Sequence, residues 1–313
     1  MKLDGPPAAT LTGLAVGDSL GMPFETKSRF EGPLLEWNGW FESSAYHKLK
    51  PGQWTDDTQM ATALAESLVA EGTYSPADAA KRYLQWHQSG DCRGQGGATG
   101  KAMCKLQAGL TWIQSGSPDA QGNGTAMRIA PLGLFYHRNI DAAAKFARVD
   151  ARITHRSEEA EVGAVAVAVG VAMLAQRSAN RDNLIHKVTE WTCPFGTQVH
   201  ARLHSLLGLL NRDFSNPETV VDALVEMGTG GHIIQTVPAA FLAFAATTNF
   251  KDAVEVAIRA GGDTDTTAAI VGALAGTFYG VQEVARYLDE LEGAEGLRAL
   301  ERRLYAEGPT VYR

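Results

Sequence analysis

The sequence predicts an all-α fold, a single compact domain built from many helices, and three observations support this. Apolar and polar residues recur at helical spacing in one segment after another, and several segments open with a Ser, Thr, Asp or Asn that can cap a helix. Strand-like alternation between hairpin turns is nearly absent. No unit of about 20 to 50 residues repeats, and no Pro- or Ser-rich linker divides the chain. We therefore expect one domain over residues 1–313.

The predicted helices run from the N-terminal region almost to the C-terminus. They cover residues 8–20, 57–71, 75–88, 98–114, 141–151, 158–176, 180–191, 198–210, 217–227, 237–247, 251–260, 266–279 and 282–291. The apolar segment 162–175 is too short to span a bilayer, so we expect a buried core helix there. Glycine-rich segments lie between helices at residues 94–97, 122–124, 228–231 and 261–262, where the backbone can approach a ligand closely.

Two charged patterns are assigned to helix surfaces. His200 and His204 stand four residues apart, as in some zinc sites, but the glutamate of the H-E-x-x-H motif is missing. Near the C-terminus, the arginines of segment 298–303 are interleaved with Glu295 and Glu301. This interleaving predicts a solvated helix face.

Composition places the chain among soluble globular proteins, with 45% hydrophobic and 20% charged residues. The formal net charge of −7 argues against general affinity for nucleic acids or anionic membranes. The three cysteines, Cys92, Cys104 and Cys193, lack the spacing of a zinc or redox motif and fit a reducing cytoplasm. The first residues lack the apolar segment of a secretory signal. We expect a cytoplasmic protein; the sequence does not indicate its oligomeric state.

Two acidic turns stand out because each precedes a predicted helix. Residues 53–59 read QWTDDTQ, and residues 261–267 read GGDTDTT. Each turn taken alone fits a helix N-cap, where Asp and Thr are favoured and a carboxylate meets the positive end of the helix dipole. The segment between Pro51 and Ala80 contains no Lys or Arg, and neither does the segment between Gly261 and Ala285. If the two turns meet, their carboxylates require a cation, and hard divalent metals prefer such oxygen ligands.

A series of motifs extends this pattern along most of the chain. It consists of GDSLGMPFE at 17–25, WTDDT at 54–58, GNGTAMR at 122–128, TH at 154–155 and GGDTDT at 261–266. The series resembles the ADP-ribosylglycohydrolase family, which includes dinitrogenase reductase-activating glycohydrolases and ADP-ribosylarginine hydrolases. The resemblance covers about residues 11–280, and the two acidic blocks are specific in combination.

The resemblance implies an all-α domain with two divalent metal ions, Mg²⁺ or Mn²⁺, in a central cleft. The metal ligands it implies are Thr55, Asp56, Asp57, Asp263, Asp265 and Thr266. It also implies Glu25 as the catalytic carboxylate. Asp91 is a second candidate for acid–base catalysis, from a segment that matches the family only loosely.

The resemblance implies substrate-binding residues as well. Gly122, Asn123, Gly124 and Met127 fall in the loop that wraps the diphosphate in similar proteins, and His155 falls near the nucleotide ribose. Simpler roles stay open for three positions. Asn123 also suits a tight turn, His155 a helix cap or the core, and Asp18 a cap beside the metal ligands.

The resulting hypothesis is a metal-dependent hydrolase that cleaves the glycosidic bond between ADP-ribose and an acceptor, in an ADP-ribosylated protein or a small conjugate. An arginine side chain is the preferred acceptor; serine, acetyl or a nucleobase stay open, as does Mg²⁺ against Mn²⁺. Two alternatives remain: a phosphoester hydrolase with two metals, which suits an Asp-rich site equally well, and a catalytically silent relative that binds the nucleotide.

Overall fold

The computed structural model describes residues 8–25 and 39–309 and confirms the all-α prediction. Within these residues, strand-like pairing is limited to three isolated bridges. The α-helices are α1 Thr10–Gly21, α2 Asp56–Glu71, α3 Pro76–Gln88, α4 Gly97–Gln107, α5 Trp112–Ser115, α6 Ala130–Phe135, α7 Ile140–Ala151, α8 Glu158–Ala175, α9 Leu184–Thr192, α10 Gln198–Leu209, α11 Pro217–Met227, α12 Ile233–Ala246, α13 Phe250–Arg259, α14 Thr264–Tyr279, α15 Val281–Val284 and α16 Ala294–Glu307. Short 3₁₀ helices span Met22–Phe24, Asn123–Thr125, Cys193–Phe195 and Ala285–Tyr287.

Helix starts follow the capping residues visible in the sequence. Ser75, Asn139 and Ser157 each accept a hydrogen bond from the backbone N–H three residues further on, at the start of helices α3, α7 and α8. Such caps satisfy backbone donors that the first turn leaves without a helical partner. Helix α8 is buried along nearly its whole length, which confirms the predicted core helix.

Several predicted boundaries differ from the structure for local reasons. The segment predicted as one helix over 98–114 is interrupted at Gly109, whose φ of 89° ends helix α4, and α5 begins anew at the capping residue Thr111. Helix α12 begins at Ile233 rather than 237, because the His232 side chain caps it and the helix continues through Pro238. The helix predicted over 282–291 consists of α15 and a 3₁₀ turn.

Helix α16 confirms the predicted solvated face for Glu295, Arg302 and Arg303, which are exposed, and contradicts it for Arg298 and Glu301. Glu301 is fully buried, and its carboxylate accepts hydrogen bonds from the Leu11 N–H at 2.7 Å and the Thr12 hydroxyl at 3.0 Å. Arg298, 7% exposed, donates to the same carboxylate at 3.3 Å. Glu301 therefore binds backbone and side-chain donors at the start of helix α1, a long-range contact that charge interleaving does not reveal.

Helices α1 and α14 pack with their backbones in contact. A Cβ atom added at Gly17 would lie 2.0 Å from the carbonyl oxygen of Ala268, and one at Gly272 would lie 2.1 Å from that of Gly13. No larger residue fits at either distance, so glycine is required on both helices. Because α14 follows the second acidic turn directly, this contact fixes the turn beside α1.

The described helices share one hydrophobic core, which includes residues from Ala8 to Leu304. The predicted domain bounds of 1–313 stay a prediction, because both ends lie outside the described residues. None of the helices in ranges 8–25 and 39–309 has the length and apolar character needed to cross a membrane.

Candidate active site

A cleft of about 300 Å³ opens where both acidic turns and two glycine-rich loops meet. The predicted site residues that line it are Glu25, Asp56, Asp57, Gly122, Asn123, Gly124, Met127, His155, Asp263, Asp265 and Thr266. Thr55 lies behind this wall and Asp91 lies outside the cleft. The remaining lining comes from Gly94, Gly96, Gly97, Ala98, Thr99 and Gly231.

The two acidic turns meet at this cleft. Thr55 and Asp263 occupy the N-cap positions of helices α2 and α14, and the other aspartates follow in the first turns. Burial, reinforced by the negative charge of neighbouring carboxylates, raises the pKa of Asp56, Asp57 and Asp265 well above the usual range. In the part of the chain that the structure describes, no Lys or Arg forms an ion pair with these aspartates.

The arrangement fits a hard divalent cation. The Asp57 Oδ1 atom is buried and has no hydrogen-bond partner among the described residues, which leaves it available as a ligand. Two glycines keep space in front of the carboxylates. A Cβ at Gly231 would lie 2.9 Å from Asp263 Oδ2, and a Cβ at Gly94 would lie 2.9 Å from Asp56 Oδ1.

Asp18 of helix α1 holds the first acidic turn. Its carboxylate accepts hydrogen bonds from the backbone N–H and hydroxyl of both Thr55 and Thr58, at 2.6 to 3.1 Å. Burial raises the pKa of Asp18 to about 6, although these donors favour the charged form. The Thr55 hydroxyl also donates to Asp57 Oδ2 at 3.2 Å. Asp18 thus has the capping role that the sequence analysis considered for it. The role of Thr55 as a metal ligand stays a prediction.

The glycine-rich loop at 122–124 is fixed from two sides. The Asn123 N–H donates to the carbonyl oxygen of Gly231 at 3.1 Å, which pairs the loop with the segment before helix α12. The Asn123 side-chain amide donates to Asp263 Oδ2 at 2.8 Å and to the Thr236 hydroxyl at 3.0 Å. Asn123 therefore contacts a predicted metal ligand directly, besides belonging to the loop that was expected to wrap the diphosphate.

Arg128 supports the same loop from beneath. Its guanidinium is fully buried and donates to Asp150 Oδ2, the carbonyl oxygen of Gly124 and the Thr154 hydroxyl, each at 2.9 Å. Next to Thr154, burial and the positive charge of Arg128 lower the pKa of His155 to about 3. His155 is therefore a neutral imidazole at physiological pH, and it faces the cleft beside the loop.

His47 is a site residue that the sequence did not reveal. Its Nε2 atom forms a hydrogen bond with Glu25 Oε2 and lies 3.8 Å from Asp265 Oδ2. One ligand atom from each of the three side chains lies within 4.8 Å of the other two, close enough for the three to bind the same metal ion. His47 belongs to no recognisable motif, so its place here depends on how the loop before the first acidic turn folds back.

Asp91 lies in a second cavity of about 560 Å³ that adjoins the cleft. The residues that line this cavity are Glu25, Tyr46, His47, Lys48, Leu49, Gly90, Asp91, Cys92, Arg93, Gly94 and Gln95. Glu25 and Gly94 border both spaces. The side chain of Asp91 is 64% exposed and pairs with Arg93 at 3.0 Å.

Comparisons with known proteins identify the family to which the chain is similar. The model of the ADP-ribosylglycohydrolase family matches residues 8–313. A protein of Archaeoglobus fulgidus is 32% identical over 300 residues, which are 94% of each chain. The ADP-ribosylarginine hydrolase Tri1 of Pseudomonas putida is 26% identical over 96% of this chain and 78% of its own. A solved structure described as an ADP-ribosylglycohydrolase-related protein complex superposes with a TM-score of 0.74, at 31% identity and 96% coverage of both chains.

Proposed function

The chain belongs to the ADP-ribosylglycohydrolase family and is a glycosyl hydrolase, and we propose that it releases ADP-ribose from an acceptor with the help of two divalent metal ions. The observation that carries this proposal is the meeting of four aspartates from two distant turns in one cleft, with Glu25 at its edge. A buried cluster of this kind requires cations to keep its carboxylates charged.

The residues that would hold the metals are Thr55, Asp56, Asp57, Asp263, Asp265 and Thr266. Bound there, Mg²⁺ or Mn²⁺ would supply Lewis-acid stabilisation to the oxygens of the ribose and of a water molecule. The unpartnered Oδ1 atom of Asp57 supports this assignment. Asp18 and Asn123 keep the two turns in place through the hydrogen bonds described above.

Glu25 is the proposed acid–base group. Hydrolysis breaks the bond from C1 of the ribose to the acceptor, joins C1 to a water oxygen and transfers a proton from that water to the departing atom. A carboxylate within reach of both partners can relay this proton. Three observations support this role for Glu25: it borders the cleft, it borders the second cavity, and it forms a hydrogen bond with His47.

Two backbone segments are proposed to bind the diphosphate. The first turn of helix α4 opens onto the cleft at Gly96, Gly97 and Ala98, and a helix start presents N–H donors to anions. The loop at 122–124 faces the same space. The imidazole of His155 is proposed to form a hydrogen bond with a ribose hydroxyl. Because this imidazole is neutral, it adds no charge to the site.

An arginine side chain is the proposed acceptor, on the likeness to a relative named as an ADP-ribosylarginine hydrolase. We also propose a cytoplasmic location, from the cysteine content.

The test is an assay for free ADP-ribose with defined arginine, serine and acetyl conjugates, with Mg²⁺, with Mn²⁺ and with a chelator. We expect metal-dependent release that D57A and D265A each abolish. Full activity in the chelator or in both variants would contradict the proposed metal centre. A nucleotide that binds but is not cleaved would indicate that the protein is a catalytically silent relative of the family.

A further inference from the structure

The second cavity adjoins the cleft at Glu25. Glu25 and Gly94 line both spaces, so a molecule bound in the cleft can extend past them without crossing another wall. If the cleft holds ADP-ribose with C1 of the ribose beside Glu25, an acceptor bonded to C1 reaches the second cavity. We propose that the second cavity binds the leaving group, and that Asp91 selects a cationic leaving group, a guanidinium. This inference rests on the proposed function.

Asp91 is held in a fixed orientation. Arg93 donates to both carboxylate oxygens, Nε to Oδ1 at 3.1 Å and Nη2 to Oδ2 at 3.0 Å. The backbone carbonyl of Asp91 accepts a hydrogen bond from Gln59 at 2.6 Å. A carboxylate has about four acceptor positions, so two remain after Arg93 has bound. An oriented, exposed carboxylate with acceptor capacity left over can recognise a cation at little cost in side-chain entropy.

Arg93 also lines the cavity, and a second carboxylate, that of Glu292, binds its guanidinium. Its Nη1 pairs with Glu292 Oε2 at 2.5 Å and donates to the carbonyl oxygen of Trp54 at 3.2 Å. Its guanidinium carbon lies 5.0 Å from the centre of the Trp54 ring. Arg93 thus links Asp91 to the residue before Thr55.

The charges around the cavity favour a cation. Two acids, Glu25 and Asp91, and two bases, Arg93 and Lys48, line the cavity. Glu292 does not line it but pairs with Arg93, which leaves the acids in excess. Lys48 is exposed to solvent at the rim, where water and salt screen its charge. Tyr46, 66% exposed, adds an aromatic ring to the lining, and guanidinium groups stack favourably on such rings.

The cavity also has the size of a side-chain site. Pockets of about 300 to 1,000 Å³ bury most of a small ligand, and the second cavity measures about 560 Å³. A leaving group as small as acetate would fill little of it, whereas an arginine side chain with its flanking backbone matches it better. These observations assign Asp91 to leaving-group recognition rather than to proton transfer.

The test uses Asp91→Asn in the full chain with Mg²⁺, because this change keeps the shape and removes the charge. For the arginine conjugate, we expect kcat/KM to fall about tenfold, the loss of one charge-assisted contact. For the serine conjugate, kcat/KM should stay within about twofold of the wild-type value. The Kd of free ADP-ribose, which would occupy only the cleft, should also stay within about twofold of the wild-type value. Asp182→Asn is the matched control, since Asp182 is 74% exposed and pairs with a neighbouring arginine far from the site.

Two outcomes would overturn the inference. An equal loss of kcat/KM with both conjugates would assign Asp91 to catalysis or structure, and no loss with either would remove it from the site. A separate titration of agmatine, a free guanidinium compound, into protein saturated with ADP-ribose does not depend on turnover. We expect D91N to weaken agmatine binding about tenfold; equal affinity in both proteins would contradict the subsite even if no conjugate were cleaved.

Discussion

Asn123 connects the nucleotide loop with the second acidic turn through its side-chain amide. The amide donates to Asp263 Oδ2 and to the Thr236 hydroxyl, so it limits how that carboxylate can rotate. The Asn123 backbone remains part of the loop that faces the cleft. One residue therefore orients a proposed metal ligand through its side chain and, through its N–H bond to Gly231, fixes the loop proposed to bind the diphosphate.

Replacing Asn123 with Ala should weaken metal binding, because the substitution removes the amide that contacts Asp263. Contacts that orient metal ligands contribute about 10- to 100-fold to metal affinity, so we expect the Kd for Mn²⁺ to rise at least tenfold in N123A, measured by calorimetry. Asn139→Ala is the control, because it removes only a helix cap on α7. Wild-type Mn²⁺ affinity in N123A would show that the amide does not orient Asp263.

Some residues of the site could be predicted from the sequence, and others could not. Asp56 and Asp57 could be predicted as site residues because their spacing, their missing counter-charges and a family pattern all agreed. The contact of Asn123 with Asp263 joins positions 140 apart, and no local pattern carries it. His47 was missed for the same reason, since its partners Glu25 and Asp265 lie far from it along the chain.

At the scale of elements, the contact between helices α1 and α14 determines the distance between the site's two halves. Helix α1 carries Asp18, which holds the first acidic turn, and helix α14 carries Asp265. Glycines on both helices let their backbones touch. Gly272 lies inside helix α14, and this close backbone contact explains a glycine there.

A methyl group at Gly272 should disturb both stability and the site. The added Cβ would clash with the carbonyl oxygen of Gly13 at 2.1 Å, and overpacking of this kind costs about 1–3 kcal/mol or more. We expect Gly272→Ala to lower Tm and to weaken Mn²⁺ binding. Gly296→Ala is the matched control, because no atom lies near that position in helix α16 and alanine favours the helix. Equal Tm values for both variants would contradict the packing argument.

Helix α16 gives the unfolding free energy a pH dependence through Glu301. Burial raises the pKa of Glu301 from 4.5 to about 7, so the folded state holds this proton to a higher pH than the unfolded state. Its contribution to stability is therefore greatest below about pH 4.5, declines as pH rises towards 7, and is constant above. The total decline is on the order of 3 kcal/mol.

Denaturant unfolding between pH 5 and 8 measures this effect. We expect the fall in unfolding free energy with rising pH to be smaller in Glu301→Gln than in the wild type, because glutamine does not titrate. Glu295→Gln on the exposed face of the same helix should leave the pH dependence unchanged. Parallel curves for the wild type and E301Q would remove Glu301 as a source of the slope.

At the scale of the whole molecule, the sequence predicted the all-α class because helical spacing and caps are local properties. Boundaries were less predictable where a single residue decides them, as at Gly109 and His232. The short helix α6 and the buried face of α16 escaped prediction, because long-range packing rather than periodicity defines them. Burial of both acidic turns in one cleft is likewise a property of the complete fold.

The proposed function depends above all on the two acidic turns forming one metal centre. The most direct measurement is a calorimetric titration of the complete chain with Mn²⁺, repeated on D57A and D265A, which each lack a carboxylate from a different turn. We expect two ions per wild-type chain and a loss of at least one ion, or a large drop in affinity, in each variant. Unchanged stoichiometry and affinity in either variant would show that its turn takes no part in holding the metals, and would contradict the claim.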